Sequence, residues 1–175
     1  LCNFAVLGPP STEGTEHVQY FSLSSRLSQL AFSATGADLT RGVGGMPNEP
    51  QDTLFFRTCH TDTVLSGGIW EAIKHFEWDL FSVIYSANEY GREFLEAVVA
   101  RMEESNPESV TLTTAVSFVP GDGASMEEAL EVLESESTRI FLLIAYADDA
   151  SEILVRASEK NMVGKGWTWL GGEWA

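Results

Sequence analysis

The chain has 175 residues, a length that suits about one domain, and its 44% hydrophobic and 11% aromatic content excludes both a disordered chain and a membrane-embedded one. Ten Lys and Arg against 26 Asp and Glu leave a formal net charge of −16, so the surface repels phosphate backbones and nucleic acid is excluded as a partner. The most apolar run, Phe141 to Ala147, falls far short of the roughly 18–20 residues that cross a bilayer, and no basic-then-apolar leader opens the chain.

In chain order, Asn3–Leu7 reads as a buried strand ended by Gly8-Pro9-Pro10, after which Ser11 or Thr12 caps a helix running to about Leu27. Gln29–Phe32 is the next strand, Ser33 to Leu39 a polar turn, Gly42 to Asp52 a loop, and Leu54–Cys59 a third strand. From Thr63 the apolar residues Leu65, Ile69, Ile73 and Phe76 mark the inner face of a helix. Strand Leu80–Tyr85 follows, then a helix started near Asn88 with Leu95, Val98, Val99 and Met102 inward. Val110–Phe118 alternates as a half-covered strand does, and a helix with Met126, Ala129, Leu130 and Leu133 inward leads to the fully buried strand Ile140–Ile144. Asp148 or Asp149 caps the last helix, with Ala150, Ile153, Leu154 and Ala157 inward, before the strand Trp167–Leu170. Strands alternating with amphipathic helices predict an α/β fold of parallel sheets flanked by helices. The chain opens at Leu1 and stops just after a strand, and so reads as an excised piece of a longer protein.

Open parallel sheets bind ligands beyond the carboxyl ends of their strands, so the loops there are the ones to inspect. They carry Ser11 and Thr12 at a helix start, Ser33 and Thr35, then Cys59, His60, Thr61 and Asp62, then Asn88, Glu89 and Tyr90, and finally Glu173. Taken singly, each cluster is what caps and turns are made of; their convergence points to a polar ligand. Between Glu103 and Glu136 no Lys or Arg occurs, which fits solvated helix faces, with a cation-binding surface as the alternative. Enzyme signatures fail: Gly42-Val-Gly-Gly-Met lacks the strand and helix of a dinucleotide turn, and His17 and His75 have no partner one turn on. A Cys59–His60 nucleophile is the remaining enzymatic alternative. Cys2 and Cys59 show no zinc spacing, and no cofactor or metal site is expected.

Gly8-Pro-Pro-Ser-Thr, Ala31-Phe-Ser-Ala-Thr with Asp38-Leu39, Phe55-Phe-Arg-Thr followed by Asp62, Tyr90-Gly91 and Leu170-Gly-Gly-Glu together resemble the receptor-family ligand-binding region, the Venus flytrap domain of class C and glutamate receptors. The resemblance implies a bilobed domain like the type I periplasmic binding proteins. Residues 1–61 would be the rear part of lobe one, 62–175 most of lobe two, and 60–63 the hinge crossing. It implies that Thr12 receives a ligand carboxylate, that Ser33 and Thr35 are a hydroxyl pair at the ligand, and that Asp62, Tyr90 and Glu173 hold its ammonium. Ser11, Ala34 and Asn88 are secondary candidates. Thr12 stands where relatives usually have Ser, and Glu13 adds a negative charge beside it.

The implied function is an extracellular, amino-acid-sensing domain of a membrane receptor that signals when two lobes close on a small-molecule ligand. It would dimerise through lobe one and reach the membrane only through segments outside this chain. Alternatives are a solute-binding protein of an amino-acid transporter and a divalent-cation sensor on the same fold. Cys2 and Cys59 are expected at opposite edges of one sheet and unbonded to each other.

Overall fold

A computed structural model of the protein describes residues 5–36, 39, 54–105 and 110–171. The chain divides into two compact units, Leu1–Leu65 and Ser66–Ala175.

In the first unit, strands β1 (Ala5–Leu7), β2 (Ser28–Ala31) and β3 (Phe55–Arg57) form a three-stranded parallel sheet in that order. Helix α1 (Thr12–Ser24) packs on one face. There Gln29, 1% exposed, donates from Nε2 to the carbonyls of Gly8 (3.3 Å) and Thr15 (3.1 Å), tying the sheet to both ends of the turn into α1. The other face carries Leu7, Leu30 and Phe56 in register, 72%, 37% and 56% exposed. The first strand is therefore not buried as its composition suggests, because α1 covers one side of the sheet only. Helix α1 also stops short of Leu27. Arg26 turns into the left-handed region at φ 53°, and the amides of Arg26 and Leu27 donate back to Leu23 and Ser22, a Schellman closure. Strands β1 and β3 are the two edges of this sheet; Cys2, whose pairing the sequence addressed, lies outside the described residues.

Helix α2 (Asp62–His75) runs across the boundary between the units. In the second unit, β4 (Leu80–Ser86), β5 (Thr111–Phe118), β6 (Ile140–Ile144) and β7 (Thr168–Gly171) form a parallel sheet in the order β5-β4-β6-β7. Helices α3 (Glu89–Glu104), α4 (Gly123–Glu134) and α5 (Ala147–Glu159) make the crossovers. One core joins Ile84, Phe141 and Leu143 of the sheet to Met126, Leu130 and Leu133 of α4 and Ile153 and Ala157 of α5. Near-continuous apolar strands are what a parallel sheet covered on both faces requires.

Local differences from the periodicity have identifiable causes. Phe76 is 59% exposed and stacks on Trp78 at 5.0 Å, because α2 ends at His75 and Glu77, at φ 55°, turns the chain away from the core. On α3 the buried stripe is Tyr90, Phe94 and Val98, rotated from Leu95, Val98, Val99 and Met102. The rotation follows from Gly91, whose missing side chain lets α3 press against Ser86. Neither Asp148 nor Asp149 caps α5; the N-cap is Tyr146, without a side-chain bond, and Asp149 Oδ1 instead accepts from the amide of Gly121 at 2.9 Å.

Two consequences are measurable. A Cβ on Gly91 would lie 2.0 Å from the Ser86 carbonyl oxygen, whereas one on Gly68 would meet nothing within 4 Å. Gly91→Ala is therefore expected to destabilise the second unit by about 2–3 kcal/mol and Gly68→Ala to be neutral or stabilising, read from denaturant midpoints. Equal midpoints for the two variants would contradict the close approach. Glu127 on α4 accepts from Lys160 (2.7 Å) and faces Arg156 (3.6 Å); the Lys160 hydrogen bond, then the two positive charges, hold its carboxyl below the usual range. A lowered carboxylate contributes stability that is present at neutral pH and lost as pH falls through the depressed value. The midpoint gap between the wild type and Glu127→Gln should therefore be open at pH 7 and close in acid; a pH-independent gap would refute the pairing.

Candidate functional site

The chemistry-bearing residues of the first unit gather where β1 and β2 end. Ser11 is the N-cap of α1, its hydroxyl accepting from the Gly14 amide at 3.2 Å, so this secondary candidate is engaged in capping. Thr12, 5% exposed, accepts at Oγ1 from the amide of Gly36 at 3.1 Å, which ties the helix start to the turn after β2. A hydroxyl that accepts one bond keeps its own proton to donate. In that turn Ser33 is exposed, while Ala34 and Thr35 are 0% and 3% exposed. The Thr35 carbonyl accepts from the amide of Asp62 at 3.0 Å, bringing the start of α2 against the same turn, and Asp62 is 1% exposed.

The structure thus brings Thr12 and Asp62 to one turn, Thr12 through the Gly36 amide and Asp62 through the Thr35 carbonyl, with Ser33 exposed in the same turn. The positive end of the α1 dipole lies at this point, opposed by Glu13 in the first turn, and a helix start of this kind suits a carboxylate.

Sequence reasoning passed over Arg57. It lies on the covered face of β3, where alternation reserves the position for an apolar side chain, and it is half-buried. Its Nη1 donates to the carbonyls of Thr35 (3.1 Å) and Ala34 (3.4 Å), and its Nη2 to that of Gly36 (2.9 Å). The guanidinium sits 5.5 Å from the Phe55 ring centroid. Burial holds its pKa below the ordinary arginine value, against the opposing influence of the neighbouring Cys59 and Asp62. The Cys59 thiol also donates to the Ala34 carbonyl at 3.3 Å. The signal available in the sequence was a charged residue breaking the alternation of Phe55, Arg57 and Cys59.

In the second unit the sheet order places a topological switch point between β4 and β6, from which the chain departs to β5 on one side and β7 on the other. Ligand crevices in open α/β sheets form beyond the carboxyl ends at such points. After β4, Asn88 caps α3, its Oδ1 accepting from the Gly91 amide and the Ser86 hydroxyl at 2.9 Å each, so its oxygen is occupied. Tyr90 follows, 4% exposed, and it stacks at 4.9 Å and 15° on Tyr146, which comes directly after β6 and is 43% exposed. The accessible aromatic face of the pair therefore belongs to Tyr146, a residue the sequence did not single out although it lies within the most apolar run, Phe141 to Ala147. Glu173 and Trp174 lie outside the described residues. Among the described residues no three Asp, Glu, His or Cys side chains form a cluster that could hold a metal ion. Among them, too, no helix is long and apolar enough to cross a membrane.

Glutamate receptor 2.5 of Arabidopsis thaliana is 25% identical over 166 residues, covering 95% of this chain and 17% of the relative. Metabotropic glutamate receptor 4 of Mus musculus is 22% identical over 148 residues, covering 85% and 15%. The metabotropic glutamate receptor-like protein E of Dictyostelium discoideum is 27% identical over 148 residues, covering 81% and 17%. This chain thus spans less than a fifth of the length of these relatives, which are receptors by name and not enzymes. Residues 3–175 match the family described as the receptor family ligand binding region, and this α/β chain of parallel sheets belongs to that family.

Proposed function

We propose that this chain is part of an extracellular, amino-acid-sensing domain of a membrane receptor, a Venus flytrap in which two lobes close on the ligand. Residues 1–61 are read as the rear of lobe one, 62–175 as most of lobe two, and 60–63 as the crossing. The observation that carries the reading is the meeting of Thr12, the Ser33–Gly36 turn and Asp62 at the carboxyl end of a parallel sheet. A zwitterion needs hydroxyl and amide donors near a helix start for its carboxylate, and acidic and aromatic groups for its ammonium. Ser33 and Thr12 answer the first need. Asp62 and Glu173 supply the charge for the second, and the Tyr90–Tyr146 stack supplies an aromatic face. The names of the relatives, glutamate receptors of plant and animal, support an amino acid as the ligand class. Lobe closure fits a ligand whose two charged ends are bound by different segments, since binding then shifts an open–closed equilibrium.

The test is calorimetric titration of the complete ligand-binding region with a panel of free L-amino acids. At least one is expected to bind, and Ser33→Ala is expected to weaken the tightest by about tenfold or more, the loss of a hydrogen bond to a charged group. No binding across the panel, or stabilisation by calcium alone, would overturn the reading.

A further inference from the structure

We propose that Arg57 is the positioning residue that turns the Ser33–Gly36 segment into an edge able to receive a carboxylate. The proposal rests on the amino-acid reading for the identity of the anion, and on hydrogen-bond geometry for the role of Arg57.

Consecutive carbonyls of a turn ordinarily diverge and are met by different donors. Here the carbonyls of Ala34, Thr35 and Gly36 are all reached by one guanidinium, at 3.4, 3.1 and 2.9 Å. Arginine suits this because its N–H groups lie in one rigid planar fork, whereas a lysine ammonium is a compact point on a flexible stem. The fork is itself braced. Its stem leaves β3, whose backbone is paired to β2, and its cation lies by the ring of Phe55, which packs against Ala31, Ala34 and Leu39.

A trans peptide aims its N–H opposite to its C=O. Drawing the carbonyls toward Arg57 therefore sends the amides of the same peptide planes the other way. The Gly36 amide shows this: its plane shares the Thr35 carbonyl, and it donates to Thr12 Oγ1 at the start of α1. The Thr35 amide, paired with the Ala34 carbonyl, is turned toward that side by the same rule. The segment thus acquires a carbonyl edge satisfied by a half-buried cation and an amide edge facing the helix start. An amide edge beside a helix N-terminus is the arrangement that binds anions, and the exposed Ser33 hydroxyl adjoins it. Arg57 touches no ligand in this account; it acts by fixing which edge of the turn the ligand meets.

The experiment combines amide hydrogen exchange with a double-mutant cycle on the complete ligand-binding region. In the ligand-free protein, Arg57→Lys keeps the charge but not the fork, and it is expected to speed exchange at the Gly36 and Asp62 amides by about tenfold. Ile84 and Leu143, in the other sheet, should keep wild-type protection. With the tightest-binding amino acid of the panel, Arg57→Ala and Arg57→Lys are each expected to weaken binding. Most of that loss should vanish in a Ser33→Ala background, because the two residues serve one contact. Wild-type exchange at Gly36 and Asp62 in Arg57→Lys would overturn the proposal, and so would losses that simply multiply with that of Ser33→Ala. If Arg57→Ala does not fold, the lysine variant decides both measurements. If the wild type binds no amino acid, the amino-acid reading fails separately, and exchange at Gly36 and Asp62 still decides the role of Arg57.

Discussion

Three successive carbonyls bonded to one half-buried guanidinium hold the end of the first sheet together. The Arg57 fork joins the end of β3 to the turn after β2. That turn is joined by Gly36 to Thr12 at the start of α1, and by Thr35 to Asp62 at the start of α2. The links to Thr12 and to Asp62 are one hydrogen bond each, at 3.1 and 3.0 Å, worth about 0.5–1.5 kcal/mol net, yet leaving a buried partner unmade costs more than the bond itself gains. The geometry of the turn is therefore set by this network rather than by any one side chain.

The second unit is built on a different economy. Its strands β4 and β6 are mostly apolar, helices pack over its core, and its polar ties include Thr138 to the Leu80 carbonyl, Trp169 to the Met162 carbonyl and Glu136 to Thr114. The negative charge concentrated from Glu103 to Glu136 is partly answered across the helices, since Glu127 meets Lys160 and Arg156 and Lys160 also faces Glu134. Such exposed pairs contribute little stability each, and they let acidic helices pack side by side. At its switch point the buried Tyr90 ring supports the half-exposed Tyr146 ring.

Much of this was legible in the sequence because burial leaves a period. The run Ile140–Ile144, the stripe Met126, Ala129, Leu130 and Leu133, and the alternation around Val110–Phe118 each match the structure. Where the reading slipped, a local close approach or a diverted polar group had overridden the period. Gly91 against Ser86 rotated α3 toward Tyr90 and Phe94, and Asp149 left the α5 cap for the Gly121 amide. The loops after the strands were correctly marked as rich in hydroxyls. Propensity could not say that the Ser11 hydroxyl and the Asn88 oxygen are used as caps, or that Thr12 accepts a turn amide, since a capping hydroxyl and a ligand-binding hydroxyl look alike in sequence. Arg57 and Tyr146 escaped for the opposite reason: neither sits in a cluster, and each matters through one partner segment brought near by the fold.

The central claim is that the amide edge of the Ser33–Gly36 turn meets the ligand carboxylate. Backbone amide chemical shifts of the complete ligand-binding region, followed while adding the tightest-binding amino acid and then its decarboxylated amine, test it most directly. The account predicts that the Thr35 and Gly36 amide resonances move with the amino acid and stay in place with the amine. Saturable binding of the amino acid with both resonances unmoved would contradict it.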